Sequence, residues 1–433
     1  MSPILDCDVH VVEIVDAVLE ELVDLGETNL ASELRRRQLN NGHDGVRRFQ
    51  GTWWGTPTAD AALWVAAHSP KALSELLETI DTDVAIVHST WGLSIGSLSS
   101  EDDRFALAAA VNRYLWRHTR TSTSRLIPAA TIPTLGGERT KEFIREMGRL
   151  GFRVVDLEMP AWPTNGSDAA ARFDATDGVW QTCVDSKLFV MCHASAMGLL
   201  GREANNFVHN HISAFASGSE AVARHLLFGG VLHRFPTLRV CMAEGGTLWF
   251  VDFLHSLVEH VEARTGKRLE VCDPSLLPID DVAALMAECD TALRSMLDVE
   301  LAGCGLLSTY PNHRDLDEFA QMGARTIGDA LDQAARIAVT AESDPVLLGF
   351  ARQAERQLQI PIHCLYGSDF GHWDSRSPFE EVERRRRLHE TDELDANRFL
   401  ATDAIDFISA VNPEVFSGTL LDAFSTTRAN GHV

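Results

Sequence analysis

The feature that most constrains the fold is a short apolar run, rich in β-branched residues, that recurs along the chain and is each time followed by helical periodicity. This alternation is typical of βα units, whose strands pair in a parallel sheet. We identify seven or eight such runs, at 4–10, 83–89, 126–131, 153–158, 188–193, 238–244, a weak one at 336–340, and 363–369. Eight strands with intervening helices close into a TIM (β/α)8 barrel, so an α/β barrel is the predicted fold class.

The length of the chain indicates insertions in this barrel. A TIM barrel usually takes about 250 residues, whereas this chain has 433. Two helical segments, at about 14–80 and about 265–335, supply the excess, and we predict that they cover the C-terminal mouth of the barrel. Neither segment looks like an independent domain. We therefore predict a single TIM-barrel domain over residues 1–433.

Charge and composition exclude several classes of partner. With 38 basic and 62 acidic side chains, the formal charge is −24, which repels phosphate backbones and anionic membranes. No apolar stretch of about 20 residues and no signal peptide are present, so we expect a cytoplasmic protein without nucleic-acid or membrane partners. Association into homo-oligomers is compatible with the sequence. The eight cysteines are scattered without a CxxC pair and are predicted to be reduced thiols.

The end of the first strand places two metal-type ligands side by side. Since side chains alternate along a strand, Asp8 and His10 are predicted to face the barrel interior, while Cys7 and Val9 face the helices. Active sites of TIM barrels lie at the C-terminal ends of the strands. Three further runs end at His193, Glu244 and Asp369. Because clustered carboxylates repel one another unless a cation compensates them, these strand ends predict a metal site.

With these residues the sequence resembles the amidohydrolase superfamily, in particular the amidohydrolase-related group that includes hydrolases and decarboxylases. The resemblance runs from residue 4 to about 413 and is most specific in DVHVVE (8–13), NHISAFASGSEA (210–221), EGGTLW (244–249) and GSDFGHWD (367–374). It implies a metal-dependent barrel whose metal is bound by Asp8, His10, His193 and Asp369.

Two departures from the superfamily pattern bear on the chemistry. Two-metal hydrolases of the superfamily commonly bridge their ions with a carboxylated lysine at the end of strand 4, where this chain has Glu158. Decarboxylase relatives use a histidine near the end of strand 6, where this chain has Glu244. Both differences make the site richer in carboxylates and less like the hydrolytic pattern.

Three more residues complete the predicted site. Glu13 and His211 are added as metal ligands, which gives four carboxylates and three histidines. His372, three residues after Asp369, is predicted to orient a ligand or a bound oxygen species, and Asp369 and His372 are the predicted catalytic residues. Such a set exceeds the four ligands of one zinc and suits two ions, and its carboxylates favour two Fe ions. One Zn or Mn ion is the alternative.

The sequence is also similar to a narrower branch of these barrels that includes a non-heme diiron monooxygenase of platensimycin and platencin biosynthesis. This similarity implies an enzyme of secondary metabolism that hydroxylates a bulky apolar, terpenoid-like small molecule, with an acyl-coenzyme A thioester as one form of the substrate and an external electron donor. The alternative is a metal-dependent hydrolase or non-oxidative decarboxylase, in which Asp369 acts as general base. A non-catalytic binding scaffold is disfavoured, because a retired site has no reason to keep several carboxylates together. No GxGxxG motif follows the first strand, which argues against a nicotinamide enzyme.

Overall fold

The computed structural model describes residues 3–39, 59–133, 137–158, 169–193, 214–271, 276–290, 292, 294, 317–372 and 375–430. Eight parallel strands pair in sequence order, each with the next, which confirms the predicted TIM barrel. The strands are β1 (Leu5–Val11), β2 (Val84–Ser89), β3 (Leu126–Pro133), β4 (Val154–Glu158), β5 (Phe189–His193), β6 (Val240–Ala243), β7 (Ile337–Ala341) and β8 (His363–Tyr366).

Helices connect successive strands, as a parallel sheet requires. In the first half of the described chain they are α1 (Val15–Asp24), α2 (Thr28–Leu39), α3 (Ala61–His68), α4 (Pro70–Thr79), α5 (Glu101–Thr119), α6 (Gly137–Leu150) and α7 (Ala169–Asp185). In the second half they are α8 (Ala214–Phe228), α9 (Val231–Arg234), α10 (Leu248–Arg264), α11 (Lys267–Glu270), α12 (Ile279–Cys289), α13 (Glu318–Gln321), α14 (Ile327–Ala334), α15 (Pro345–Leu358), α16 (Pro378–Thr391), α17 (Glu393–Asn397), α18 (Asp403–Ser409) and α19 (Asp422–Asn430). Short 3-10 helices lie at Trp91–Ser97 and Arg120–Ser122, and a π-helical turn lies at Arg398–Thr402.

Both predicted insertions contain helices at the expected places in the chain. Helices α1 to α4 lie between β1 and β2, and α11 to α14 lie between α10 and β7. The first insertion contacts the C-terminal end of β1, where the Val12 N–H donates to the Ala67 carbonyl at 2.9 Å. Among the described helices, none is both long and apolar enough to cross a membrane.

The two faces of the strands pack against different layers. The inner face carries an apolar layer that includes Ile86, Phe189 and Met191, and this layer packs against Phe407 and neighbouring side chains of α18. The outer face packs against the surrounding helices in a separate core. The C-terminal segment therefore fills the N-terminal end of the barrel, and the polar residues of the inner face lie toward the opposite end.

A bulge in β1 changes one predicted side-chain direction. Cys7 was predicted to face the helices, but it belongs to the inner apolar layer, whereas Val9 packs in the outer core as predicted. The pairing of β1 with β2 shifts between Asp6 and Val9, where three steps along β1 match two along β2. Such an extra residue interrupts strict alternation. Asp8 and His10 nevertheless both lie in the inner site described below.

The segment after β8 closes the barrel beside β1. The Asp369 N–H donates to the Asp8 carbonyl at 2.9 Å, and the His10 N–H donates to the Phe370 carbonyl at 2.7 Å. The seam between the first and last strands thus brings Asp369 next to Asp8 and His10.

This seam requires glycine at position 371. Gly371 has φ +109°, and a Cβ atom there would lie 2.2 Å from the His10 carbonyl oxygen, which is held by the adjacent strand. Replacement by alanine combines backbone strain with a steric clash, each of which costs about 1–3 kcal/mol. We expect Gly371→Ala to lower the free energy of unfolding, measured by urea denaturation, by at least about 2 kcal/mol.

Gly26 provides the matched control, because it has φ +88° but a Cβ atom added there would have nothing within 4 Å. Gly26→Ala is expected to lower the free energy of unfolding by about 1 kcal/mol, through backbone strain alone. Equal losses in the two variants would show that the close approach at the seam is unimportant.

Candidate metal centre

The first ligand group joins strands β1 and β5. Asp8, His10 and His193 bring one ligand atom each to within 4.8 Å of one another. Asp8 Oδ1 lies 3.2 Å from His10 Nε2 and 3.2 Å from His193 Nε2. The other Asp8 oxygen, Oδ2, accepts a hydrogen bond from the Thr340 hydroxyl of β7 at 3.3 Å. Both histidine rings therefore face the same carboxylate at the upper end of the inner face.

The second ligand group adds the residues that follow β6 and β8. His10, Glu244, Asp369 and His372 also converge within 4.8 Å. His10 Nε2 lies 3.6 Å from Glu244 Oε1 and 3.5 Å from Asp369 Oδ1, and His372 Nδ1 lies 2.8 Å from Asp369 Oδ1. The rings of His10 and His372 stack with centroids 4.0 Å apart. Because His10 belongs to both groups, the two groups form one continuous cluster.

Backbone conformation at two strand ends helps to direct these carboxylates. Glu244 and Asp369 have φ values of +61° and +54°, in the left-handed region that non-glycine residues rarely adopt. Glu244 is held there in part by its own N–H, which donates to the Thr340 hydroxyl at 3.0 Å. Strained backbone of this kind is frequent at functional sites.

The structure describes only one of the two residues, Glu13 and His211, that were added to the predicted ligand set. Glu13 is buried, but its oxygens accept hydrogen bonds from the Ser89 hydroxyl and from the Trp91 N–H, so the structure does not bring it into either ligand group. Desolvation raises the pKa of Glu13 to about 7. His211 lies outside the described residues. Their roles as ligands stay predictions.

Sequence reasoning missed two inner residues, His88 of β2 and Asp156 of β4. His88, Asp156 and His193 form a third group of ligand-type atoms within 4.8 Å. The signal was available, because His88 follows the inward-facing Val84 and Ile86 at a spacing of two, and Asp156 follows Val154 in the same way. At strand 4 the sequence analysis noted only the last residue of the run, Glu158, and not Asp156 two positions earlier.

Strong electrostatic coupling marks the buried cluster. Burial alone raises the pKa of Asp8, but His193 and His10 outweigh it and hold that pKa well below its usual range. Burial lowers the pKa of His10, but hydrogen bonds to Asp8 and Glu244 outweigh it and raise this pKa to about 10. At Asp369 burial dominates over the favourable effect of His372, and the pKa is raised. In the metal-free protein, histidine protons therefore balance the carboxylates.

The cluster fits a divalent metal ion. His10 Nδ1, His372 Nε2 and Glu244 Oε2 are buried and have no hydrogen-bond partner among the described residues, which is costly for polar atoms. Around an ion with bonds of about 2.1 Å, neighbouring ligand atoms lie about 3 to 3.5 Å apart. The separations of 3.2 to 3.6 Å around His10 Nε2 match that spacing. Mixed imidazole and carboxylate donors suit Zn, Mn and Fe.

Metal affinity is expected to rise with pH. The pKa of about 10 at His10 means that this ring carries a proton at neutral pH in the metal-free protein, and a metal must displace that proton. For each proton released, affinity should increase about tenfold per pH unit between pH 6 and 8. Chelator competition with Zn²⁺ at three pH values measures this slope. An affinity that is independent of pH would contradict the protonated site.

Comparisons with known proteins agree with this architecture. The model of the Amidohydrolase family matches residues 95–264. No curated protein sequence matches the chain significantly. The family match confirms the resemblance to the amidohydrolase superfamily over these residues, and the structural neighbours share the TIM-barrel fold of this chain.

Two solved structures illustrate the similarity. An amidohydrolase from Mycobacterium avium subsp. paratuberculosis superposes with a TM-score of 0.61 at 15% identity, covering 94% of this chain and 99% of that chain. The 5-carboxyvanillate decarboxylase of Novosphingobium aromaticivorans, whose structure contains manganese, gives a TM-score of 0.59 at 13% identity and covers 94% and 97% of the two chains. At these identities the likeness concerns the fold.

Proposed function

We propose that the protein is a metal-dependent enzyme of the amidohydrolase type, a hydrolase or a non-oxidative decarboxylase, with one divalent ion held around His10 Nε2. The observation that carries this proposal is the shared position of that nitrogen, which lies 3.2 to 3.6 Å from oxygens of Asp8, Glu244 and Asp369. An imidazole nitrogen has a single lone pair and binds one ion. The family match and the manganese-containing decarboxylase neighbour support the same class.

Asp369 is the proposed general base. Its side chain is partly buried, its Oδ1 lies 2.8 Å from His372 Nδ1, and burial raises its pKa, which makes the carboxylate a stronger base. In hydrolysis Asp369 would take a proton from the attacking water, and in decarboxylation it would deliver one to the substrate carbon. His372 would hold the carboxylate in place. When bound, the metal supplies Lewis-acid polarisation of a substrate carbonyl or carboxyl group.

A diiron monooxygenase is the second candidate, and the carboxylate content of the cluster favours it. Asp8, Glu244, Asp369 and Asp156 all lie within the three overlapping groups of ligand atoms. Four carboxylates suit the higher charge of oxidised iron pairs better than that of a single zinc. This candidate requires two Fe ions, an external electron donor and an apolar substrate, for which an acyl-coenzyme A thioester remains one form.

Metal content and oxygen dependence distinguish the two candidates. Protein reconstituted separately with Zn²⁺, Mn²⁺ and Fe²⁺ is analysed for bound metal and then tested with aromatic carboxylates, esters, lactones and acyl-coenzyme A thioesters. We expect about one ion per chain and turnover that is equal under argon and under air, with CO₂ release or with ¹⁸O incorporated from water. Two irons per chain, together with product labelled from ¹⁸O₂, would reject the hydrolase or decarboxylase proposal in favour of the monooxygenase.

A further inference from the structure

The third group of ligand-type atoms contains a carboxylate that contacts the far side of a proposed metal ligand. His193 Nε2 faces Asp8 Oδ1 at 3.2 Å, while its other nitrogen, Nδ1, lies 2.8 Å from Asp156 Oδ2. His193 and Asp156 are both buried, with side chains 2% and 9% exposed, so water competes little for this contact. One ring thus has the metal cluster on one edge and Asp156 on the other.

We propose that Asp156 is a positioning residue that fixes the tautomer and orientation of His193 for metal binding, and that His88 in turn holds Asp156. The inference rests on the metal site of the proposed function. A neutral imidazole has one N–H and one lone pair, and an ionised carboxylate only accepts hydrogen bonds. The contact of Asp156 Oδ2 with His193 Nδ1 is an ion pair without hydrogen-bond alignment, and the charge of Asp156 favours the tautomer with hydrogen on Nδ1, which leaves the Nε2 lone pair directed at the cluster beside Asp8.

The surroundings of His88 support its part in this arrangement. His88 Nδ1 lies 3.2 Å from Asp156 Oδ2, and its Nε2 lies 3.2 Å from the Cys7 carbonyl oxygen. Both neighbours are acceptors, and hydrogen on Nδ1 lets His88 donate to Asp156. Its ring also packs edge-on against His193, with centroids 4.6 Å apart. The bulge at Cys7 and Asp8 thus places a backbone carbonyl where it anchors the same network.

A separate metal ion bound by the third group is the competing explanation, and the two differ in measurable ways. An ion at that group would require the His193 Nδ1 lone pair, whereas the positioning role requires a proton on the same atom. Replacing Asp156 would remove one bound ion in the first case. In the second case the number of ions stays constant and their affinity falls.

The first test compares Asp156→Asn with wild type in metal titrations with Zn²⁺ and Mn²⁺. We expect an unchanged number of bound ions and an affinity about 10- to 100-fold lower, the range found for partners that orient metal ligands. Asp403→Asn is the control, since Asp403 is a buried carboxylate ion-paired with Arg398 in the C-terminal part of the chain. Loss of one bound ion, or an affinity equal to wild type, would overturn the inference.

The second test uses variants of His88, so it remains valid if Asp156→Asn does not fold. In His88→Asn the side-chain amide replaces the Nδ1 donor, whereas in His88→Leu no donor remains. We expect affinity within about threefold of wild type for asparagine and at least about tenfold lower for leucine. Equal affinities in the two His88 variants would overturn the role of His88.

A nitrogen NMR spectrum of the metal-free protein, recorded above the pH at which the His193 ring becomes neutral, reads the tautomer of His193 directly. We expect hydrogen on Nδ1 in wild type and a mixture of tautomers in Asp156→Asn, a change that a purely structural role would not produce. Wild-type protein that binds no metal at all would instead reject the proposed function. In that case the tautomer measurement still tests the contact between Asp156 and His193.

Discussion

Replacement of His10 by alanine is expected to leave less than about a tenth of the wild-type metal content after purification. His10 Nε2 is the atom that the two overlapping ligand groups share, with Asp8, Glu244 and Asp369 oxygens all within 3.6 Å. Structural sites bind zinc with about 10–16 kcal/mol spread over about four ligands, so losing one ligand costs roughly 3 kcal/mol. That corresponds to an affinity about 100-fold or more lower. Metal analysis after dialysis measures the effect.

His260→Ala serves as the control for this variant. His260 lies on the exposed face of α10, where its Nδ1 contacts the Ser256 carbonyl at 2.7 Å, away from the cluster. The His260→Ala variant should retain the full metal content. If His10→Ala also retained its metal and bound it with wild-type affinity, the cluster around His10 would not be the metal site.

Asp369→Asn is expected to lower kcat by about 10²- to 10⁴-fold on whichever substrate the reconstituted enzyme turns over. The amide keeps the shape of the carboxylate and one coordinating oxygen, but it cannot take up a proton, and general-base catalysis contributes about this factor. Its contact with His372 at 2.8 Å and its bond to the Asp8 carbonyl should keep the segment in place. The rate is measured with metal in excess, so that weaker binding does not limit it.

Asp344→Asn is a suitable partner variant, because Asp344 caps α15 by accepting hydrogen bonds from Val346 and Leu347, and asparagine caps helices equally well. This variant should keep the wild-type rate. An Asp369→Asn enzyme that works at more than about a third of the wild-type rate at saturating metal would exclude Asp369 as the base.

The pattern of apolar runs in the sequence was sufficient to predict the barrel. Each strand of the barrel coincides, within a few residues, with an apolar run such as 83–89 or 188–193, because strands buried on both faces need continuous apolar sequence. The strand ends Asp8, His10, His193, Glu244 and Asp369 were also recognisable, since the mouth of the barrel collects the residues at which such runs stop. Their joint convergence follows from the closed barrel rather than from any one run.

Other features depend on contacts between segments far apart in the chain. Glu13 follows DVHVV directly and looks like a further ligand, yet Ser89 and Trp91 of the next βα unit occupy its oxygens. The bulge that directs Cys7 inward arises from the pairing of β1 with β2. This register cannot be predicted from the sequence of either strand alone.

The sequence by itself determined the order of the strands, the barrel and most of the polar residues at its mouth, because burial and periodicity act along a continuous segment. Only the tertiary structure decided which of those polar groups share one nitrogen of His10, which are occupied by hydrogen bonds, and that His88 and Asp156 lie behind His193. These distinctions rest on distances of about 3 to 4 Å between residues far apart in the chain, such as His10 and Asp369, whose side-chain atoms lie 3.5 Å apart. Only closure of the barrel sets such distances.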